Sequence, residues 1–388
     1  MAMSFNLPEE LIKEIMSWLS PESLVQFKCV GKYWYALVTN LLNDPSFVAK
    51  HLQNQNDNDN NIFSSPSIAV TSLHIYDTPV YDYKELFALV SLPSSSTQND
   101  DISCVVEDLD IPIIPGEKDV SCLMASHCNG VVCVADYYHN IILSNPAMKN
   151  SRTLPKPNFV DRFVLQGVGF GYDPLSNDYK LVRFGRDKSL YPKAEVYSLK
   201  SDSWKEIGID SGTDYFPSVH VEVSVNGAYY WLMSGPRFMI RVFDMSDEVF
   251  YSVPLPDSLQ SMQSQWMSLG VRNDFVALFV CPGEKGIPVG IDVWVMKECA
   301  TGVKGSSCSW KHEMTIGPFE GIDCPLGFWN GEEFLMRAAN FKEIVSYNVR
   351  TRKRRNVKVG GLDGIGCRAF SYVKSLVSVQ GKKQDLQI

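Results

Sequence analysis

The sequence predicts an α+β multidomain protein, with three N-terminal helices followed by an all-β propeller of six blades. Three observations carry that reading. Residues 7–52 place apolar side chains at helical spacing between proline-marked helix starts. After about residue 62, aromatic and β-branched runs alternate with Gly, Pro, Asn and Ser turns, the pattern of many short strands. Within that β region a strand–turn–strand unit recurs about every 50 residues. The boundaries that follow are a helical domain over 1–52, a linker over 53–61 and a β-propeller domain over 62–388.

The helices come first. Pro8 marks a helix start, because its missing N–H is an orphan there in any case, and Glu9 and Glu10 suit the positive end of the helix dipole. Leu11, Ile15, Trp18 and Leu19 then form one stripe at i, i+4, i+7 and i+8. Ser20-Pro21 supplies an N-cap and a first-turn proline for the second helix, which is nearly all apolar through Leu24, Val25, Phe27, Cys29 and Val30. Trp34, Leu37, Val38, Leu41 and Leu42 give the third its stripe, and Asp44-Pro45 repeats the cap-then-proline signal before Phe47 and Leu52. So short a bundle is near the lower limit for an independent core, and its apolar content exceeds what that core hides. The excess implies a helix-packing interface with another protein. The alternative is that the helices pack on the β domain and bind nothing.

Residues 53–61 contain only Gln, Asn and Asp, which reads as a linker. Beyond it the repeat sets the architecture. Its strand–turn units begin at Leu143, Tyr197, Phe243, Val293 and Tyr347, so the steps are 54, 46, 50 and 54. Each unit has an upstream strand pair, such as 167–172 with 180–184 and 221–225 with 228–232. This is kelch-type propeller spacing, although the kelch double glycine is absent, so the domain is kelch-like. Five units are countable; a sixth assembled from 62–110 and a C-terminal strand over 369–379 closes the ring. A β-sandwich is the competing fold.

Composition narrows the function. The net charge of −8 argues against a nucleic-acid or anionic-membrane binder and favours a basic protein partner. The longest apolar run, Phe275 to Cys281, is far too short to span a bilayer, and no basic-then-apolar leader opens the chain. The ten cysteines lack framework spacing and read as reduced thiols of a cytoplasmic protein. Cys122, His127, Cys128 and Cys133 lie close in sequence but match no zinc template, and neither a cofactor nor a metal is expected. Gly167-Val-Gly-Phe-Gly171 lacks the following helix that a phosphate loop needs. No nucleophile elbow or metal-binding helix is present, so the expected protein is not an enzyme. The basic run Arg350–Arg355 reads as a solvated hairpin turn, with a nuclear-import patch as the sharper alternative.

Leu7-Pro8, Ile15 and Leu19, Ser23-Leu24, Phe27-Lys28-Cys29-Val30 and Lys32-x-Trp34 together resemble an F-box over residues 7–46. Ser20 and Gly31 depart from that pattern. The resemblance implies docking on the Skp-type adaptor of a cullin–RING (SCF) ubiquitin ligase. The residues it assigns to the adaptor are Leu7, Pro8, Leu11, Ile15, Leu19, Leu24, Val25, Phe27, Cys29, Val30 and Trp34. Further on, Cys128-Asn-Gly-Val-Val-Cys133, Asn145-Pro-Ala147, Gly169-Phe-Gly-Tyr-Asp173 and Ser203-Trp-Lys-Glu206 resemble the plant F-box-associated domain. The segments 106–112, 291–297 and 317–322 are similar to the S-locus F-box and S-locus-F-box-like proteins of plants. That similarity implies a pollen protein that binds non-self S-RNases in the pollen-tube cytoplasm and directs their ubiquitination in self-incompatibility. A receptor for another cytosolic target in vegetative tissue, or a propeller that binds without degrading, remains open. Specificity is expected in loops such as 93–101, 186–193, 208–217 and 300–309, since loops vary on a fixed scaffold.

Overall fold

The computed structural model describes residues 7–56, 67–76, 82–91, 101–103, 105–109, 111, 124–136, 139–161, 163–210, 216–235, 237–260, 265–282, 289–297, 308–329, 331–340, 343–358 and 365–380. The N-terminal domain has four helices rather than three: α1 (Glu9–Met16), α2 (Pro21–Phe27), α3 (Lys32–Leu42) and α4 (Pro45–Asn56). Ser20 caps α2 as its sequence position predicts, its Oγ accepting the Ser23 N–H at 3.3 Å. Asp44 caps α4 through the Ser46 N–H at 2.9 Å. The chain stays helical through 53–56, where the sequence alone reads as linker, and there Asn54 Nδ2 donates to Ser17 Oγ at 2.8 Å and the buried Gln55 donates to the Trp18 carbonyl at 3.4 Å; the rest of that linker lies outside the described residues.

The helices share one core. Met16, Leu24, Leu37, Val38, Leu41 and Phe47 are buried together, with Ile12, Leu19, Phe27 and Trp34 packed around them. Helix α1 ends at Met16, so Trp18 and Leu19 fall in the turn that follows it instead of prolonging the helix. The predicted stripe therefore divides. Leu19 turns to the core, while Leu11 and Ile15 remain on the outside.

The β region is a six-bladed propeller of six separate sheets. Blades 2 to 6 span 124–153, 164–207, 216–254, 265–319 and 322–358. In blade 3 the meander runs outward from Val164–Asp173 through Asp178–Arg186 and Pro192–Ser198 to Ser203–Ile207. Blade 1 closes the ring with both ends of the domain. Its innermost strand is the C-terminal Ile365–Tyr372, which pairs with Ser67–Tyr76, followed by Asp82–Ser91 and Val105–Asp108. The sequence places this strand at 369–379. The structure ends it at Tyr372; the next seven residues have no strand pairing, and of these Ser375, Leu376, Val377 and Val379 are buried. Between blades 1 and 2, the Phe370 ring stacks on His127 at 3.8 Å. Blade 6 gains a fifth strand, Asp101–Ser103, parallel to its edge at Arg354–Lys358.

The repeat has a local cause. The turn between the third and fourth strands begins with a polar side chain that caps its own backbone. Asn145 Oδ1 accepts from Met148 N, Ser198 Oγ from Ser201 N, Asp244 Oδ1 from Ser246 N and Asn348 Oδ1 from Thr351 N. Residues 350–353 of the basic run occupy the last of these turns, as the solvated-turn reading expects, whereas Arg354 and Arg355 open the strand Arg354–Lys358; Arg350 and Arg355 pair with Glu332 and Glu333.

Charge joins blade 3 to blade 4. Lys180, 8% exposed, pairs with Asp173 and Glu248 at 2.9 Å each and donates to the Met245 carbonyl. Burial alone raises the Asp173 carboxyl, but hydrogen bonds from Ser176, Ser246 and Lys180 outweigh it and hold the group far below the usual carboxylate range.

The propeller has two ends. Inner strands run from one end to the other, and the helical domain sits where the Asn129-Gly130 and Pro146–Met148 turns of blade 2 lie. Met148 and Leu376 pack into the helical core there. The other end carries the loops 154–163 and 187–191.

Candidate functional sites

The helical domain exposes apolar side chains away from its core. Leu7, Leu11 and Ile15 are 46%, 45% and 49% exposed, and Val25, Cys29 and Val30 join them at the α2 end. Five of the eleven predicted adaptor-binding residues are thus large, accessible side chains on α1, α2 and their flanks, and Pro8 and Cys29 are also exposed. Leu24 is fully buried. Leu19, Phe27 and Trp34 are half-buried and brace the surface from beneath, with the Phe27 and Trp34 ring centroids 5.3 Å apart. The sequence reading passes over Tyr33 and Tyr35, which are also exposed. Their signal was available: both fall off the Trp34, Leu37, Val38 and Leu41 stripe, so α3 must turn two large rings outward. At the edge of this surface Glu14 meets Lys50, and Trp18 Nε1 donates to the Glu14 carboxylate at 3.3 Å. Those hydrogen bonds, from Lys50 first, hold the Glu14 carboxyl below its ordinary value. An apolar face with fixed charge at its rim suits the groove or helix of another protein.

The opposite end of the propeller presents a second surface. Arg183 and Glu195 form a buried ion pair at 2.9 Å in blade 3. Glu195 accepts the Asn158 N–H at 3.0 Å and the Phe159 N–H at 3.4 Å, and the Arg183 guanidinium lies 4.7 Å from the Phe163 ring centre. The loop over 154–163 is thereby tied to the blade at several points. Beside it, Asp187 Oδ1 accepts the N–H groups of Ser189 and Tyr191, which sets a tight loop with Leu190 and Tyr191 67% and 68% exposed at its tip. Two of the predicted recognition loops, 186–193 and the described part of 208–217, reach this end. Residues 92–100 and 298–307 lie outside the described residues.

Between the two ends, the inner strands enclose a cavity of about 170 Å³. Ser126, Ser224, Ser268 and Ser371 line it, together with Glu222 and His127. Enclosure lowers the His127 imidazole to about 4, so it is neutral at pH 7. Burial pushes the Cys128 thiol up to about 12 and raises Cys133 further, which disfavours the thiolate a metal would need. Cys122 lies outside the described residues. Among the described residues no three His, Cys, Asp or Glu side chains converge as metal ligands, and no helix is long and apolar enough to cross a membrane. Cys308 is disulfide-bonded, which corrects the all-reduced reading; Cys29, Cys128, Cys133, Cys281 and Cys324 are free thiols. Sequence spacing gave no sign of that bond.

Gly167, Gly169 and Gly171 alternate along the inner strand of blade 3, as the strand reading expects. Their missing side chains leave room for Phe184, for Tyr229 and Trp231, and for Met245 respectively.

Residues 4–45 match the F-box domain, and residues 81–379 match the F-box associated beta propeller domain. At3g16210 of Arabidopsis thaliana, which carries an F-box name, is 29% identical over 270 residues, 68% of this chain and 65% of its own length. The F-box protein At3g08750 of the same plant is 29% identical over 259 residues, 64% of this chain and 60% of its own. The F-box/kelch-repeat protein At3g23880 is 26% identical over 386 residues, 96% of each chain. The chain thus spans a little under two thirds of two of these relatives and nearly all of the third.

Proposed function

This chain belongs to the F-box proteins with an F-box-associated β-propeller domain, and on that premise we propose that it is the substrate-recognition subunit of an SCF-type cullin–RING ubiquitin ligase. The observation that carries the proposal is the apolar face of Leu7, Leu11, Ile15, Val25 and Val30, which the propeller leaves uncovered. A surface of this kind is costly to expose and is relieved by a partner. The partner proposed is the Skp-type adaptor. The propeller end with the 154–163 and 187–191 loops receives the target protein. The chain then contributes proximity: it holds the target near a ubiquitin-loaded conjugating enzyme, with no covalent chemistry of its own.

Adaptor capture tests this. Leu11→Asp with Ile15→Asp places two charges on the face while leaving the buried core of Met16, Leu24 and Leu41 intact. Affinity for the adaptor is expected to fall about 100-fold or more, on the order of 3 kcal/mol, with the melting temperature unchanged. Equal capture of wild-type and double-variant chains would remove the docking reading.

The target proposed is narrower: a basic S-RNase, bound in the pollen-tube cytoplasm. The similarity of segments 106–112, 291–297 and 317–322 to S-locus F-box proteins and the net charge of −8 support it. Association with a basic RNase is expected to slow several-fold between roughly 50 and 200 mM salt as the attraction is screened. No binding of any S-RNase at low salt would return the target to an unidentified cytosolic protein.

A further inference from the structure

Residues 373–379 leave the innermost strand of blade 1 and run, without strand pairing, between the helical domain and the propeller. Leu376, 1% exposed, belongs to the helical core. Val377 and Val379 belong instead to the core between blades 2 and 3. One short segment thus inserts side chains into two separate cores. Its backbone is pinned on the propeller side, where Asn145 Nδ2 donates to the Ser375 carbonyl at 3.0 Å and to the Val377 carbonyl at 2.8 Å. Ser375 Oγ donates to the Asn129 carbonyl at 2.5 Å. On the helical side Lys374 pairs with Glu22 of α2 at 2.8 Å.

The approach is close enough to dictate sequence. Gly130 has φ +77°, and a Cβ there would lie 2.3 Å from the Val373 carbonyl oxygen. Sliding the segment would break the Asn145 bonds and withdraw side chains from both cores at once, so it holds a single register.

We propose that residues 373–379 are a positioning strap, which fixes the adaptor-binding face at one orientation to the target end of the propeller and on which ubiquitin transfer by the assembled ligase depends. This rests on the ligase-receptor reading above. Proximity accelerates transfer only while the acceptor lysine stays near the conjugating enzyme. With the strap released the two halves keep residues 57–66 and the Met148 and Val48 contacts but lose the pinned segment, so they sample a larger volume and lower that local concentration.

The test uses the full chain bound to the Skp-type adaptor and cullin–RING complex, with the chain's own lysines as ubiquitin acceptors. Labels at the exposed positions Ala49 and Leu175 report the inter-domain distance. Leu376→Ala combined with Asn145→Ala is expected to broaden the distance distribution, lower the initial transfer rate at least fivefold and spread ubiquitin over more lysines, with adaptor capture within twofold of wild type. Should that variant disturb folding, a charge reversal decides. Glu22 and Lys374 are each about a third exposed and lie outside the cores. Lys374→Glu is expected to broaden the distance distribution, and adding Glu22→Lys to narrow it again. An unchanged distribution and unchanged ubiquitin pattern, with adaptor capture intact, would overturn the strap. Absence of adaptor capture by the wild-type chain would overturn the receptor reading instead.

Discussion

His51 lies on α4 with no solvent contact, and its Nε2–H donates to the Leu19 carbonyl at 2.8 Å. Burial removes the water an imidazolium needs, and this lowers its folded-state pKa from 6.5 to about 4. The unfolded chain therefore takes up the proton first as pH falls. The stability this difference confers is complete above 6.5 and is lost progressively down to about 4, with a ceiling on the order of 3 kcal/mol. Urea midpoints followed by helix circular dichroism should fall across that window, and His51→Gln, which keeps a donor for Leu19, should flatten the fall. An identical pH slope in the variant would show that His51 is not the titrating group. The sequence offers little access to this. It placed His51 just before Leu52 on a fourth capped segment, but only the packing of α4 against the α1–α2 connection makes the ring buried. The exposed residues of the same domain were more legible. The family pattern drew attention to Leu7, Leu11, Ile15, Val25 and Val30, while burial separates them from Leu24, which the pattern alone groups with them.

At the scale of an element, the inner strand of blade 3 shows how neighbouring blades fit. Its glycines at 167, 169 and 171 face one side, and Tyr229 and Trp231 of blade 4 occupy the space above Gly169. A Cβ there would approach both rings at 2.7 Å. Gly169→Ala is accordingly expected to destabilise the propeller by about 1–3 kcal/mol through overpacking. The check is the denaturant midpoint; a midpoint equal to wild type would mean that the rings shift without cost. The outer strands show a second device. Trp204 Nε1 donates to the Pro155 carbonyl at 2.8 Å and Trp310 Nε1 to the Pro254 carbonyl at 3.0 Å, so an edge tryptophan holds the chain as it leaves the preceding blade. Both tryptophans are visible in the sequence as repeat positions. Their partners are not, because those prolines lie 49 and 56 residues away in the chain.

The whole molecule depends on how the ring closes. The C-terminal strand Ile365–Tyr372 supplies the innermost strand of a blade whose other strands come from residues 67–108. Truncation after residue 364 would remove that strand, leave Ser67–Tyr76 as an unpaired edge and take the strap with it. The truncated chain is expected to lose its single cooperative transition and to associate, which light scattering coupled to size exclusion would report. A monomer melting at the wild-type temperature would show that closure is dispensable.

Local choices are written in the order of residues: where helices start, which turns repeat, and hence a helical domain followed by blades at a period near 50. These depend on side chains acting on their own backbone within a few residues, as Ser20, Asp44, Asn145 and Asn348 do. Long-range packing sets what the helical domain exposes and how it is held. Whether Leu11 or Leu24 faces water depends on what packs over each, and the placement of Leu376 in one core and Val377 in another depends on residues more than 200 positions apart meeting at Asn145. Contacts at that separation leave no periodicity to read, so the end of the chain that the sequence shows only as a last strand is, in the folded molecule, the part that joins its two halves.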